Sequence, residues 1–210
     1  MHNSLHYVSE ARAVIFLAIF AGVALSMVEA TLGPRIAENV RRQTYDRIPE
    51  LVPGASSTST QEISLQPDVG SVNAIYAACD ESGTLTGWVL RGQEQGYSGP
   101  IVLLVGVDPQ ASRITGLFVL QQTETPGLGA LITRDSFLEQ FSGLPANTPI
   151  QMMKHATQPG QVQAVSGATI SSVAVADAVN RTLSEFRNLL EKPDSRDHML
   201  EQLPSQGKDV

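Results

Sequence analysis

Three hydrophobic patterns follow one another along the chain. From Ala13 to Val28, AVIFLAIFAGVALSMV is apolar at nearly every position and carries no charge, the pattern of a helix that is hydrophobic all round. From Val72 the pattern changes to short apolar runs broken by turn residues. VNAIYAACD turns at ESG into TLTGWVLRG, and GPIVLLVGVD turns at PQAS into RITGLFVLQQT, which predicts two β-hairpins and therefore an antiparallel sheet. Ile101 to Val107 and Leu117 to Leu120 are too continuously apolar for a half-exposed sheet, so both faces should be covered. After Arg134 the period becomes helical. RDSFLEQFSG places Phe137, Leu138 and Phe141 at helical spacing and stops at Gly143, and Ser172 to Leu190 sets Ala176, Val179, Leu183, Phe186 and Leu190 on one stripe.

These elements give an α+β fold: an antiparallel sheet with packed helices, behind a single N-terminal transmembrane helix. The expected organisation is a short cytoplasmic N-terminus over 1–12, an anchor over 13–32, a stalk and linker over 33–62, one folded domain over 63–192 and a flexible polar tail over 193–210. Within the stalk, PRIAENVRRQTYDRIPELV reads as a surface helix broken before Pro49, and PGASSTSTQ as a flexible linker. The apolar segment has two readings. A cleaved signal peptide would end at Val28-Glu29-Ala30, and an anchor would extend to Leu32; the anchor is favoured. Flanking arginines lie on both sides (Arg12; Arg35, Arg41, Arg42), so direction is read instead from the long domain that follows, which leaves the N-terminus in the cytoplasm.

Composition narrows the chemistry. The chain has 210 residues, a net charge of −7 and no basic run, which excludes a phosphate-tracking nucleic-acid surface. A lone cysteine, Cys79, cannot form an internal disulfide or a four-cysteine cluster and reads as a small buried side chain. The histidines His2, His6, His155 and His198 lack metal-ligand spacing, so no metal site is expected.

Two stretches carry candidate chemistry. In SGATISS, Ser166 to Ser172, Gly167 permits a tight turn, Ala168 keeps the approach open, and Ser166 and Thr169 offer hydroxyls at a helix start. A phosphate there would meet free helix amides and the positive end of the dipole. The alternative is an ordinary N-cap, with Ser171 or Ser172 accepting those amides. In TETPGLGAL, Thr123 to Leu131, Pro126, Gly127 and Gly129 fix an irregular loop whose backbone can approach a planar ligand; a ligand-free turn explains it equally well. Trp88 and Tyr97 could each stack on such a ligand, but Trp88 lies mid-strand, where core packing is the commoner role. Lys154 and His155 fit a solvated loop.

Taken together, GYSGPIVLLVGVD (96–108), ETPGLG (124–129) and SGATISS (166–172) resemble the FMN-binding domain of the G subunit of the Rnf ion-translocating electron transport complex. The C subunit of the sodium-translocating NADH:quinone reductase shares the last two signatures, and the likeness extends upstream to GPRIAEN (33–39). The resemblance implies a bacterial inner-membrane flavoprotein with its FMN domain on the periplasmic side, relaying electrons among the other subunits of the complex. It implies that a flavin transferase takes FMN from FAD and esterifies its phosphate to Thr169, an acceptor rather than a catalyst. Ser166, Gly167, Ala168, Ile170 and Ser171 would then surround the attachment point. Thr125, Gly127 and Leu128 would lie by the ring, with Glu124 left as structural. No independent catalytic residue is expected. The pattern departs at Gln163, where an acidic residue is usual. Two alternatives remain: the flavin subunit of another membrane reductase, of the sodium-translocating NADH:quinone reductase type, or an unflavinylated assembly module.

Overall fold

The computed structural model describes residues 3–63, 74–158 and 160–203, and the chain divides into two compact units at Arg42/Gln43. Helix α1 runs from Asn3 to Leu51. Its first unit contains an 18-residue window with mean hydropathy 2.1, none of it buried. Phe16, Phe20 and Leu25 there are exposed. Residues 14–32 of a helix are about 28 Å long, close to the roughly 30 Å of a bilayer's hydrocarbon core.

The second unit is built on a five-stranded antiparallel meander in the order β1 (Gln61–Ile63), β2 (Ala74–Cys79), β3 (Leu85–Gln95), β4 (Pro100–Val107) and β5 (Ile114–Gln121). The two expected hairpins are β2–β3 and β4–β5; Val72 and Asn73 lie outside the described residues. Both faces are covered, as the continuous apolar runs require. Ile101, Leu103, Val105 and Val107 of β4 share a core with Val175, Val179, Leu183 and Phe186 of α3 (Thr169–Glu191). Leu104, on the opposite face, packs with Ile48, Leu51 and Val52. Trp88 is in the first core, its ring 5.6 Å from that of Phe186. Cys79 is buried at the end of β2, and burial first, then the charge of Asp80, pushes its thiol up. The expected helix after Arg134 is a single turn, α2 (Asp135–Leu138), followed by a 3-10 turn that ends before Gly143.

Three expectations about the flanks change. The helix does not break before Pro49. Ile48 and Leu51 are buried, each contributing roughly 1.5–3 kcal/mol, enough to offset the cost of about 3 kcal/mol of an interior proline. Residues 53–60 are a folded turn rather than a flexible linker. The Ser56 N–H donates to Cys79 O at 2.7 Å and Thr60 Oγ1 donates to Ser56 O at 2.8 Å, so the hydroxyl-rich composition satisfies backbone groups. Beyond Lys192, Pro193–Glu201 form α4, whose Met199 is buried in the main core. A proline at the first helical position and one apolar anchor in a polar segment account for it. Residues 204–210 of the expected tail lie outside the described residues. The sequence pattern also misses β6 (Gln151–Met153) and β7 (Gln161–Gln163), a short parallel pair, because three residues are too few to show a period.

Candidate functional site

The site forms where two strands deliver their following loops to the start of α3. After β5, the backbone at 125–130 closes on itself: the Leu128 and Ala130 N–H groups both donate to Thr125 O, at 3.1 and 3.2 Å. After β7, the Ala168 N–H donates to Val165 O at 3.0 Å across Gly167, whose φ of +79° is the left-handed conformation that glycine adopts without steric cost. The loops approach closely: Leu128 Cδ2 lies 3.5 Å from where a Cβ on Gly167 would stand.

Glu124 ties the loops together. Its side chain is buried; Oε1 accepts from the Ser98 N–H at 2.9 Å and Oε2 accepts from Ser171 Oγ at 2.6 Å. Gly129 sits directly over this carboxylate, and a Cβ there would collide with Glu124 and with Ser171 Oγ. Glu124 therefore has the structural part expected of it and also forms a wall of the site.

The start of α3 excludes the ordinary N-cap. The N-cap position is Ala168, and no side chain caps it. Ser171 is turned to Glu124, while Ser172 Oγ donates to Ala168 O at 2.9 Å and accepts the Val165 N–H at 3.0 Å. Both serines are thus engaged elsewhere, and the helix begins with amides that neither satisfies. Thr169, the first helical residue, is exposed and makes no side-chain hydrogen bond among the described residues. An exposed hydroxyl beside uncapped amides can hold a phosphate-bearing group, the dipole favouring the remaining negative charge by roughly 0.3–1 kcal/mol, up to about 2 where partly buried.

A cavity of about 430 Å³ opens in front of this start. Thr125, Leu128 and Gly129 line it from one loop and Gly167 to Ser171 from the other, with Glu124 and Tyr97 completing the wall. Its size and its mixture of apolar side chains, backbone and a few polar groups suit a small-molecule site. A second cavity of about 510 Å³ shares Thr169 and Ile170 and is bounded by Glu94 and Arg181, which form an ion pair.

Of the residues singled out in the sequence, Thr125, Leu128, Gly167, Ala168, Thr169, Ile170 and Ser171 line the 430 Å³ cavity. Gly127, at φ +78°, shapes the loop without lining it, and Ser166 is exposed beside it. Lys154 and His155 are exposed and outside the lining. Tyr97, a stacking candidate in the sequence but outside the expected site set, does line it and is 71 % exposed, so its ring is free to cover a bound group. Its signal was its place in the turn between β3 and β4. Gln163 is exposed, and its backbone is held on both sides by one side chain: the Gln163 N–H donates to Gln140 Oε1 at 2.8 Å and Gln140 Nε2 donates to Gln163 O at 3.3 Å. No sequence pattern pairs those two glutamines.

Residues 96–184 match the family model of the FMN-binding domain. The chain is 36 % identical over 174 residues to the G subunit of the ion-translocating oxidoreductase complex of Methanosarcina acetivorans, covering 80 % of this chain and 90 % of that one. It is 33 % identical over 111 residues to the G subunit of the Na(+)-translocating ferredoxin:NAD(+) oxidoreductase complex of Acetobacterium woodii, covering 51 % and 53 % of the two chains. Among solved structures, the C subunit of the Na(+)-translocating NADH-quinone reductase from Parabacteroides distasonis superposes with a TM-score of 0.53 at 22 % identity, over 68 % of this chain and 80 % of that one. At that identity the likeness speaks to the fold alone.

Proposed function

The chain belongs to the family of G subunits of ion-translocating oxidoreductase complexes, and from that premise we propose that it is a membrane-anchored flavoprotein that carries FMN esterified to Thr169 and relays electrons within a Rnf-type complex. The observation that carries this reading is the exposed Thr169 hydroxyl at the first position of an uncapped helix, opening on the 430 Å³ cavity within the segment that matches the FMN-binding domain. FMN supplies the redox chemistry, accepting and releasing electrons, and the protein's task is to hold and orient it. Thr169 is the covalent tether, and the first amides of α3 face the charge a phosphodiester retains. Thr125 and Leu128 are the side chains that would flank the ring, with Tyr97 at the opposite rim.

Attachment is a transfer catalysed by a partner enzyme. The Thr169 oxygen forms a bond to the FMN phosphorus of FAD, the pyrophosphate P–O bond breaks, AMP leaves, and the hydroxyl proton passes to the transferase or solvent. On this reading the helix over 13–32 lies in the inner membrane, with the N-terminus in the cytoplasm and the FMN domain on the periplasmic side, where a covalent tether prevents loss of flavin by dilution. Gln163 favours a second reading, an assembly module of the same fold without flavin.

Intact mass of the full chain, expressed to the periplasm with a flavin transferase, tests the proposal beside Thr169→Ala. The expected outcome is a gain of one FMN less one water in the wild type, fluorescence of the denatured band, and loss of both in the variant. With the transferase active on a control protein, an unmodified wild type would favour the assembly module.

A further inference from the structure

The first turn of α3 carries Thr169 and is held at its base by Ser172, whose hydroxyl bridges Ala168 O and the Val165 N–H. Its earliest helical hydrogen bond runs from the Ser172 N–H to Ala168 O, at 2.9 Å, and no side chain caps it. The strongest constraint on the turn comes from outside. Ser171 Oγ donates to Glu124 Oε2 at 2.6 Å in a buried environment, and the other carboxylate oxygen takes the Ser98 N–H at 2.9 Å. A hydrogen bond to a carboxylate is roughly twice as strong as one between neutral groups. One side chain thus clamps the β3–β4 turn, the 123–129 loop and the helix start.

We propose that Glu124 is the positioning residue of the site, fixing through Ser171 the rotation of the first turn of α3 and so the direction in which Thr169 presents its hydroxyl. Residues two apart on a helix point about 200° away from each other. Turning Ser171 inward to Glu124 therefore turns Thr169 outward, which is the burial observed: Ser171 is 2 % exposed and Thr169 is on the surface. A buried carboxylate is a costly way to fill space, since an apolar side chain of similar volume would pack there without a desolvation penalty. Its two donors and the neighbouring helix N-terminus offset that penalty, and the glycines above it leave room for nothing larger. The arrangement sets an angle rather than adding stability. This inference rests on Thr169 being the tether; the clamp itself does not.

The test uses the full chain in detergent as wild type, Ser171→Ala, Glu124→Leu and Glu124→Gln, with two readouts. One is the initial rate of flavin loading by a transferase of proven activity. The other is amide hydrogen exchange, before any flavin is added, at Ala168 and Ser172, the bonded amides that bracket Thr169. Ser171→Ala and Glu124→Leu are expected to slow loading and to speed exchange at both amides by at least about tenfold, with exchange at Val179 unchanged. Glu124→Gln can accept the Ser98 N–H and donate to Ser171 Oγ, and is expected to return both readouts to within about threefold of wild type. Unchanged loading and exchange in Ser171→Ala would overturn the assignment, as would a Glu124→Gln variant no better than Glu124→Leu. Should Glu124→Leu fail to fold, Ser171→Ala against wild type decides. A wild type that takes no flavin sinks the tether, while the exchange arm still decides the clamp.

Discussion

At the turn between β2 and β3, Asp80 Oδ1 accepts from the Ser82 N–H, Ser82 Oγ and the Thr84 N–H, at 2.9, 2.6 and 2.9 Å, all within four residues. At the site, Glu124 takes its donors from Ser98 and Ser171, 26 and 47 positions away. Both regions are rich in Gly, Ser, Thr and acidic residues. The hairpin turn closes on itself and leaves its polar groups satisfied. The site loops also close locally through their backbone amides, but the Glu124 carboxylate that joins them is satisfied across the sequence, and the groups left over, the Thr169 hydroxyl and the first amides of α3, are the ones available to a ligand. The difference teaches that a polar loop is marked as functional less by its composition than by which hydrogen bonds it leaves unmade.

The sharpest way to break the long-range side of this contrast is Gly129→Val. The new side chain would enter space held by Glu124 and Ser171 Oγ, combining overpacking with disruption of a buried charged hydrogen bond. The expected loss is on the order of 3 kcal/mol. Urea unfolding of the full chain in detergent measures it, and a midpoint equal to wild type would mean that the loop moves aside at no cost and that the carboxylate is not confined.

A smaller effect is expected from Ser172→Ala, compared with Ser82→Ala as its exposed counterpart; both hydroxyls bond within seven residues, so this pair varies burial rather than range. Ser172 is 0 % exposed, and its hydroxyl holds the Val165 N–H and Ala168 O. Removal strands a half-buried donor and should cost about 1–2 kcal/mol. Ser82, on the surface, should cost less than about 0.5 kcal/mol. Equal losses in the two variants would mean that burial adds nothing to such a bond, leaving its range in the sequence as what separates the site from the turn.

The distinction between local and long-range bonds explains what the sequence made legible. The hairpins β2–β3 and β4–β5 were readable because their turn chemistry lies between the strands it joins. The stripe of Ala176, Val179, Leu183 and Phe186 was readable because a helix repeats within a few residues. SGAT and ETPGLG stood out as motifs, yet their relation did not: nothing in either stretch says that Glu124 receives Ser171, or that Ala168 rather than a serine begins the helix. Gln140 holding Gln163 and Met199 anchoring α4 were hidden for the same reason, each being a single long-range contact without a period. The helix through Pro49 was missed because local propensity argues for a break and only the sheet beneath Ile48 and Leu51 outweighs it.

The weakest and most specific probe of the local side is the pH dependence of Asp80→Asn. The Ser82 hydroxyl foremost, then the Thr84 and Ser82 amides, hold the Asp80 carboxyl below the usual carboxylate range in the folded chain. A carboxyl whose folded pKa lies below its unfolded value contributes stability that is fully present above the unfolded pKa, near 4. That contribution fades as pH falls through the lower folded value. Wild type should therefore unfold at a higher urea midpoint than Asp80→Asn at pH 7, with the gap closing as pH falls through the lowered folded pKa and the carboxyl protonates. Asp108, also held below its usual range with Ser112 as its main hydrogen-bond partner, titrates alike in both proteins and cancels from the comparison. A gap that persisted undiminished at acid pH would show that shape, not charge, closes the β2–β3 turn. The self-contained turn would then resemble the clamp at Glu124, where an amide is expected to replace the carboxylate.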